Sequence, residues 1–532
     1  MKGREEILEE LNKLSSSENF LEILLLTTNK NLNRPYQDLG KVDSRNFLNE
    51  NELAFLFGLW LKNKNRCFPA LIDKNTIITK IESLMNDYHF TFIDSFSKVS
   101  KQPSYLAQVK DREEVIKETN YYSGSGAYDL QYVNFASKKY EKDKAWLIKN
   151  RNYDIDYVDL LYSYIKNSLT IKLNENNYHD VFDLHSFSFN TYGFKKYPQF
   201  EQILNSVSIN LDTVLNQDFN DMGDLNFFRL YPVIKTESRY IIPIPYLLAE
   251  ALYDNPFYWM KDDDSYKNIA FKNRGESAVK IVKHFLSTIL TDERIYENVD
   301  VSERKGKLIT DLDVCIVKDN KMLVVQVKSK RLTQLSKQGK IVNFEEDFKK
   351  AIVEANNQAK RPIKSILDRE CSLVVSETGE RIDYSQIDDI QTMCLVLDSY
   401  PAVTTHTRMH FDKELSPIAI SVFDLEVLVK YLKNFNTLFD YIKKRELVSH
   451  NYISENELGF LSFYLKEGFN FTQKEEIIFI DNSYSQYFDD DYYKFLVRND
   501  FDKYISLIKN IGRNDFCICG SGKKAKRCCL IR

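Results

Sequence analysis

The stretch Leu308-Ile309-Thr310-Asp311-Leu312-Asp313-Val314-Cys315-Ile316-Val317-Lys318-Asp319-Asn320-Lys321-Met322-Leu323-Val324-Val325-Gln326-Val327-Lys328 reads as two strands joined by a turn. Leu308 to Val317 and Met322 to Lys328 are apolar runs of strand length, and Lys318 to Lys321 between them has hairpin-turn composition. Side chains alternate along a strand, so Leu312, Val314 and Ile316 share one face while Asp311, Asp313 and Cys315 share the other. On the second strand Val325 and Val327 alternate with Gln326 and Lys328. A buried aliphatic strand has no packing reason to carry Asp, Gln and Lys. A simple hairpin register therefore brings a carboxylate, an amide and an ammonium onto one face of a sheet whose other face is aliphatic.

The flanking sequence extends the sheet. A helix is expected from about Gly275 to Leu290, with Ala278, Ile281, Val282, Phe285, Leu286 and Ile289 as its apolar stripe, and a strand from Tyr296 to Val301 follows it. Beyond Lys328 come a helix from Phe344 to Lys360 ended by Pro362, strands at Ser372 to Val375, Gln391 to Leu397 and Ile418 to Val422, and a helix from Asp424 to Leu432. This succession predicts one α/β domain over residues 226–435, its range including the preceding strands Leu230 to Ile234 and Tyr240 to Ile244. Residues 1–225 read as mostly helical, for example at Glu5 to Leu14, Asn46 to Leu61, Ile77 to Asp87 and Tyr157 to Ile171, with Tyr and Phe recurring at core spacing. No chemistry is assigned to that half. Tyr121 to Gly126 reads as a break, and residues 436–510 as a helical extension.

Composition bounds the partners. Lys and Arg number 73 against 77 Asp and Glu, a formal charge of −4, so nucleic-acid contact must come from local basic patches. No apolar run approaches the ~20 residues of a membrane span, and the first residues lack the apolar core of a signal peptide. The expectation is a cytoplasmic protein without a membrane partner. Cys315, Cys371 and Cys394 lie in apolar strand-like runs and, with Cys67, carry no assigned function. His406 and His410 are four apart in a stretch that does not read as helical, and no third ligand accompanies them.

Residues 511–532 concentrate four of the eight cysteines. Cys517-x-Cys519, eight residues, then Cys528-Cys529 offer four thiols to one tetrahedral Zn²⁺, with Gly520 and Gly522 permitting the reversal between the pairs. Arg513, Lys523, Lys524, Lys526 and Arg527 are placed to offset the charge of four thiolates. The Gly-Arg-Asn lead-in, the Cys-x-Cys-Gly-Ser-Gly-Lys-Lys core and the Cys-Cys end closely resemble SEC-C, the zinc module named for the C-terminus of the translocation ATPase SecA. That resemblance implies structural zinc and an interaction surface for a protein partner, not a reaction.

Asp313, followed after twelve residues by Gln326-Val327-Lys328 and preceded by a helix carrying Gly275-Glu276, resembles the PD-(D/E)XK nuclease superfamily. The closer likeness is to its Mrr-like, restriction-endonuclease-related variants, in which Gln replaces the middle acid. The resemblance implies a restriction-endonuclease-like mixed sheet flanked by helices and a Mg²⁺-dependent DNA endonuclease, DNA being favoured over RNA. It further implies a setting of defence against foreign DNA; the sequence leaves oligomeric state open, and duplex cleavage by a single-site nuclease would favour a homodimer. Mg²⁺ takes oxygen ligands, so Asp313, the Gln326 amide, the Val327 carbonyl and Glu276 are the candidate ligands, with Lys328 positioning the attacking water. Asp311 shares the face of Asp313 and is the alternative ligand, and Glu276 also reads as an ordinary helix-start acid. Lys330, Arg331, Lys337 and Lys340 form a basic loop that fits a phosphate clamp, and Gln358 on the second helix is a polar residue that fits the family's helix pattern. The competing reading is a nuclease fold that binds nucleic acid or protein without cleaving.

Overall fold

A computed structural model describes residues 2–32, 47–66, 68–99, 112–123, 126–175, 187–190, 194, 196–290, 294–400, 402–411, 416–469, 478–517 and 523–528. The chain is mixed α/β and divides into two compact units: Met1–Ser100 with Asp129–Ala270 and Asp491–Arg532, and Lys101–Tyr128 with Phe271–Asp490. This partition differs from boundaries near residues 225, 435 and 510. Residues 226–270 join the N-terminal helices, and the expected extension is divided at residue 490.

In the first unit the helix Glu50–Asn63 is central. Asn49 accepts the Glu52 N–H at 2.9 Å while the Glu52 carboxylate accepts the Asn49 N–H at 2.9 Å, a reciprocal cap. Leu53, Phe55, Leu56, Phe57, Leu59 and Leu61 are all buried, as befits a helix that is apolar all round. Phe57 stacks on Phe228 with ring centres 4.4 Å apart, and Phe55 stacks on Tyr88 at 5.5 Å. A small sheet runs in the order Ser188–Asn190, Arg239–Ile241, Val233–Lys235, Ser208–Ile209. The strand expected at Leu230 to Ile234 is instead a helical turn, Phe227–Leu230, followed by Val233–Lys235. Asn226 causes the turn by accepting the Phe228 N–H at 3.0 Å. The next strand stops at Ile241, short of Ile244, because Pro243 and Pro245 have no N–H to extend it.

The second unit is built on a six-stranded sheet. Its elements are α1 (Arg112–Tyr122), α2 (Lys267–Ser287), β1 (Ile295–Glu303), β2 (Leu308–Lys318) and β3 (Lys321–Lys328). Next come α3 (Ile341–Phe348), a π turn (Lys349–Val353), α4 (Glu354–Lys360), β4 (Cys371–Val375) and β5 (Asp389–Val396). α5 (Val403–His410), β6 (Ile418–Ser421), α6 (Val422–Leu432), α7 (Phe435–Leu447) and α8 (Glu457–Glu467) complete the set.

The strand order is β6-β5-β3-β2-β1-β4. β1, β2 and β3 form an antiparallel meander, β5 returns parallel to β3 after the α3–α4 crossover, and β4 pairs with the far edge at β1. The hairpin turns at Asp319, whose φ of 54° lies in the left-handed region that Asp tolerates. Gln326 pairs with Cys394 and Lys328 with Val396, so these four share a sheet face. Ala351, Ile352 and Ala355 pack against Cys394 and Val396, which covers that face.

Two expectations change here. α2 begins at Lys267, so Glu276 lies mid-helix, not in a first turn. His406 and His410 are helical, in α5. Among the described residues no helix is long and apolar enough to cross a membrane.

Candidate active site

The β2–β3 ladder runs from Lys318↔Lys321 to Val314↔Val325 and stops. Past that point side chains take over the backbone bonds. Asp313 Oδ2 accepts the Val327 N–H at 2.7 Å, and Gln326 Nε2 donates to the Asp311 carbonyl at 2.9 Å. From α4, Gln358 Oε1 accepts from Lys328 Nζ at 2.9 Å, while its Nε2 donates to Asp311 Oδ1 at 2.9 Å and to the Asp311 carbonyl at 3.1 Å. Asp311, Gln326, Lys328 and Gln358 thus form one network at the strand end, beside the Asp313–Val327 bond. The crossover helix that supplies Gln358 is interrupted by the π turn, a rare element often found next to functional sites.

The amide orientation at Gln326 is determined by its neighbour. Exchanging its nitrogen and oxygen would set an acceptor against the Asp311 carbonyl. Oε1 is therefore the other end, and it is buried with no hydrogen-bond partner among the described residues. Gln326 itself is fully buried. A buried oxygen without a donor costs about 1–3 kcal/mol, which a cation or an ordered water would recover. Burial raises the Asp313 carboxyl above the usual carboxylate range, with Asp311 adding to the rise, against the opposing Val327 N–H and Lys328 charge. A desolvated carboxylate and an orphaned amide oxygen are both hard oxygen donors, the kind Mg²⁺ takes. Among the described residues no group of three His, Cys, Asp or Glu side chains is arranged to hold a metal. A cation at Asp313 and Gln326 would keep water in its remaining positions.

Val327, whose carbonyl is an expected ligand, lies beside Asp313 and donates its N–H to it. Other expected residues fall elsewhere. Glu276 lies about 200° around α2 from the buried Arg274 and forms its ion pair with Lys272 at 3.8 Å. Of the basic loop, Lys330 pairs with Asp347 at 2.9 Å, Arg331 with Asp398 at 2.9 Å and Lys340 with Glu113 at 3.3 Å. Only Lys337 of the four stands exposed without an ion pair among the described residues. The basic loop is therefore largely committed to carboxylates of the same unit.

Asp398 was not singled out in the sequence. It is buried just past β5, beside Leu397, whose N–H donates to the Lys328 carbonyl at 3.0 Å, and it binds both Arg274 and Arg331. An acid directly after an apolar strand, and an Arg four residues before Ala278 on the buried stripe, were the available signals. His406 is buried against Phe344, with ring centres 4.5 Å apart and Nε2 3.2 Å from Thr119 Oγ1. Burial pushes its pKa down to about 3, which fits a neutral core histidine.

In the tail, Cys517 is buried and its N–H donates to the Lys523 carbonyl at 2.7 Å. Phe516 and Lys524 form an antiparallel bridge, and Lys526 N–H donates to the Arg513 carbonyl at 3.0 Å. A single 3-10 turn, Ala525–Arg527, leads to Cys528. Cys519 and Cys529 lie outside the described residues.

A family model of the SEC-C motif, which in general binds zinc, matches residues 513–530. No curated protein and no solved structure matches the chain.

Proposed function

We propose that the second unit hydrolyses phosphodiester bonds of DNA with a divalent cation held at Asp313 and Gln326. The observation that carries this reading is the buried, partnerless Gln326 oxygen at a strand end that also holds Asp313 and Lys328. Mg²⁺ bound there would polarise a phosphoryl oxygen and acidify a bound water. Asp313 supplies a carboxylate whose Oδ2 is held by the Val327 N–H, leaving Oδ1 to take a ligand. Lys328, held by Gln358, supplies positive charge where negative charge develops on the phosphoryl oxygens. DNA is the substrate that the sequence resemblance implies. In the same proposal Cys517, Cys519, Cys528 and Cys529 hold one structural zinc.

A second reading, a nucleic-acid binder that does not cleave, is favoured by the neutral amide at 326 and by the engagement of the Lys328 ammonium with Gln358. The test is incubation of zinc-loaded protein with covalently closed, linear and single-stranded DNA, with Mg²⁺, with Mn²⁺ and with neither. Cleavage that requires the added cation supports hydrolysis. Binding without cleavage under all conditions supports the second reading.

A further inference from the structure

We infer that the turn between β1 and β2, residues 303–308, together with Arg361 forms a phosphate-binding surface that holds duplex DNA across the Asp313 strand end. The choice of polyanion rests on the hydrolase reading, but the binding it predicts is measured without cleavage. The basic loop after β3 has little charge to offer phosphates, since Lys330, Arg331 and Lys340 are paired with carboxylates. The start of β2, at the same end of the sheet, is different.

β2 leaves the turn at Leu308 and runs through Asp311 and Asp313, antiparallel to β3, so the turn lies at the end where Lys328 stands. At about 3.4 Å per residue, Lys307 is roughly 20 Å along the strand from Asp313, within the reach of a duplex that spans the site. Two backbone bonds close the turn: Gly306 N–H donates to the Glu303 carbonyl at 2.7 Å, and Glu303 N–H to the Lys307 carbonyl at 2.8 Å. Gly306 takes the φ of 84° that this closure requires. Arg304, Lys305 and Lys307 are exposed on it.

Arg361 connects the turn to the site. It follows Gln358 by three residues and is exposed, and its guanidinium donates to the Ile309 carbonyl at 3.5 Å, two residues along β2 from the Asp311 that Gln358 holds. Arg304 likewise donates to a carbonyl, that of Arg369, at 3.0 Å. Neutral acceptors fix these two guanidinium groups without cancelling their charge. Among the described residues no carboxylate pairs with Arg304, Lys305, Arg361 or Lys364, and Lys307 reaches only the exposed Glu303, at 4.0 Å. Such an exposed pair holds its lysine weakly. Residues 303–308 and 361–370 carry six cations against Glu303, Asp368 and Glu370, a surplus of three in a chain of formal charge −4. Continuity with Asp313 and Lys328 selects DNA over an acidic protein as the occupant.

The experiment uses full-length, zinc-loaded chain without added Mg²⁺ or Mn²⁺ and a labelled duplex of about 30 base pairs, titrated over a range of salt. Polyglutamate of matched charge is the competitor. The double variant Lys305→Gln, Lys307→Gln is compared with Lys318→Gln, Lys321→Gln, which removes the same charge from the opposite end of β2 and β3. Arg361→Gln is the third variant, and thermal unfolding checks that each is folded. Loss of two phosphate contacts should reduce the slope of log affinity against log salt by about 2, and Arg361→Gln should reduce it by about 1. The Lys318 and Lys321 variant should keep the wild-type slope.

Absence of duplex binding by wild type, or an unchanged slope in the Lys305 and Lys307 variant, would overturn the inference. So would an equal loss in the two double variants, which marks a general effect of charge. Polyglutamate competing as well as DNA would also overturn it and make the turn a site for acidic proteins. Cation-dependent cleavage by a wild type whose binding ignores the turn removes only this inference. Turn-dependent binding without any cleavage removes only the hydrolase reading.

Discussion

Gln326 concentrates the chemistry of the candidate site, because its nitrogen has a partner and its buried oxygen has none. Gln326→Glu puts a carboxylate oxygen against the Asp311 carbonyl, so the variant should unfold at a lower temperature than wild type without divalent cation. Mn²⁺ should restore that temperature, with cleavage retained at an altered metal preference. Gln326→Leu removes the orphan oxygen along with the bond, so stability should change by only about 1 kcal/mol while cleavage is lost. Thermal unfolding and cleavage with and without Mn²⁺ check both. Gln358 touches Lys328 and Asp311, so Gln358→Leu should lower kcat roughly tenfold with KM little changed, as expected when a reacting group is left unpositioned. Asp313, Gln326 and Lys328 were legible in the sequence because polar residues in alternation violate the pattern of an aliphatic strand. The bonds of Gln358, and the burial of Arg274 and Asp398, depend on how distant elements meet, and no local pattern encodes that.

At the scale of elements, the capping of α6 carries a pH dependence. Asp424 accepts the Ser421 N–H at 2.9 Å and the Ser421 hydroxyl at 2.7 Å. Burial nonetheless raises its pKa to about 6, against the opposing Ser421 bonds. A raised carboxyl pKa in the folded state favours the protonated form, so stability should fall as pH rises from about 4 through 6 and the penalty should be complete above that. The shift corresponds to roughly 3 kcal/mol as an upper bound. Asp424→Asn keeps an acceptor for the cap without the charge. It should match wild type near pH 4 and unfold at a higher temperature near pH 8, which thermal unfolding at the two pH values measures.

β1, β2 and β3 were readable to within about two residues, because apolar runs of strand length and a polar turn are local signals. The start of α2 was not, since Gly275 is a poor helix former that Lys267–Ser287 nevertheless accommodates mid-helix. The π turn leaves the apolar spacing of Phe348, Ile352, Ala355 and Ala359 regular, so it too was invisible.

For the whole molecule, the division into two units follows long-range packing that no composition shift announces, and it groups residues 226–270 with the N-terminal helices. The Cys-rich tail groups with the first unit. One zinc per chain is expected by elemental analysis, lost in the double variant Cys517→Ser, Cys528→Ser. The main unfolding transition should then be little changed, because so short a segment adds little to the large cores. The central claim, that the strand end at Asp313 hydrolyses phosphodiester bonds, is tested most directly by comparing wild type with Asp313→Ala on covalently closed DNA. Both proteins carry zinc, are given Mg²⁺, and are used at concentrations giving equal DNA binding. The account requires at least a hundredfold slower nicking by the variant, on the order of losing one group that stabilises the transition state. Equal rates in the two proteins would contradict it.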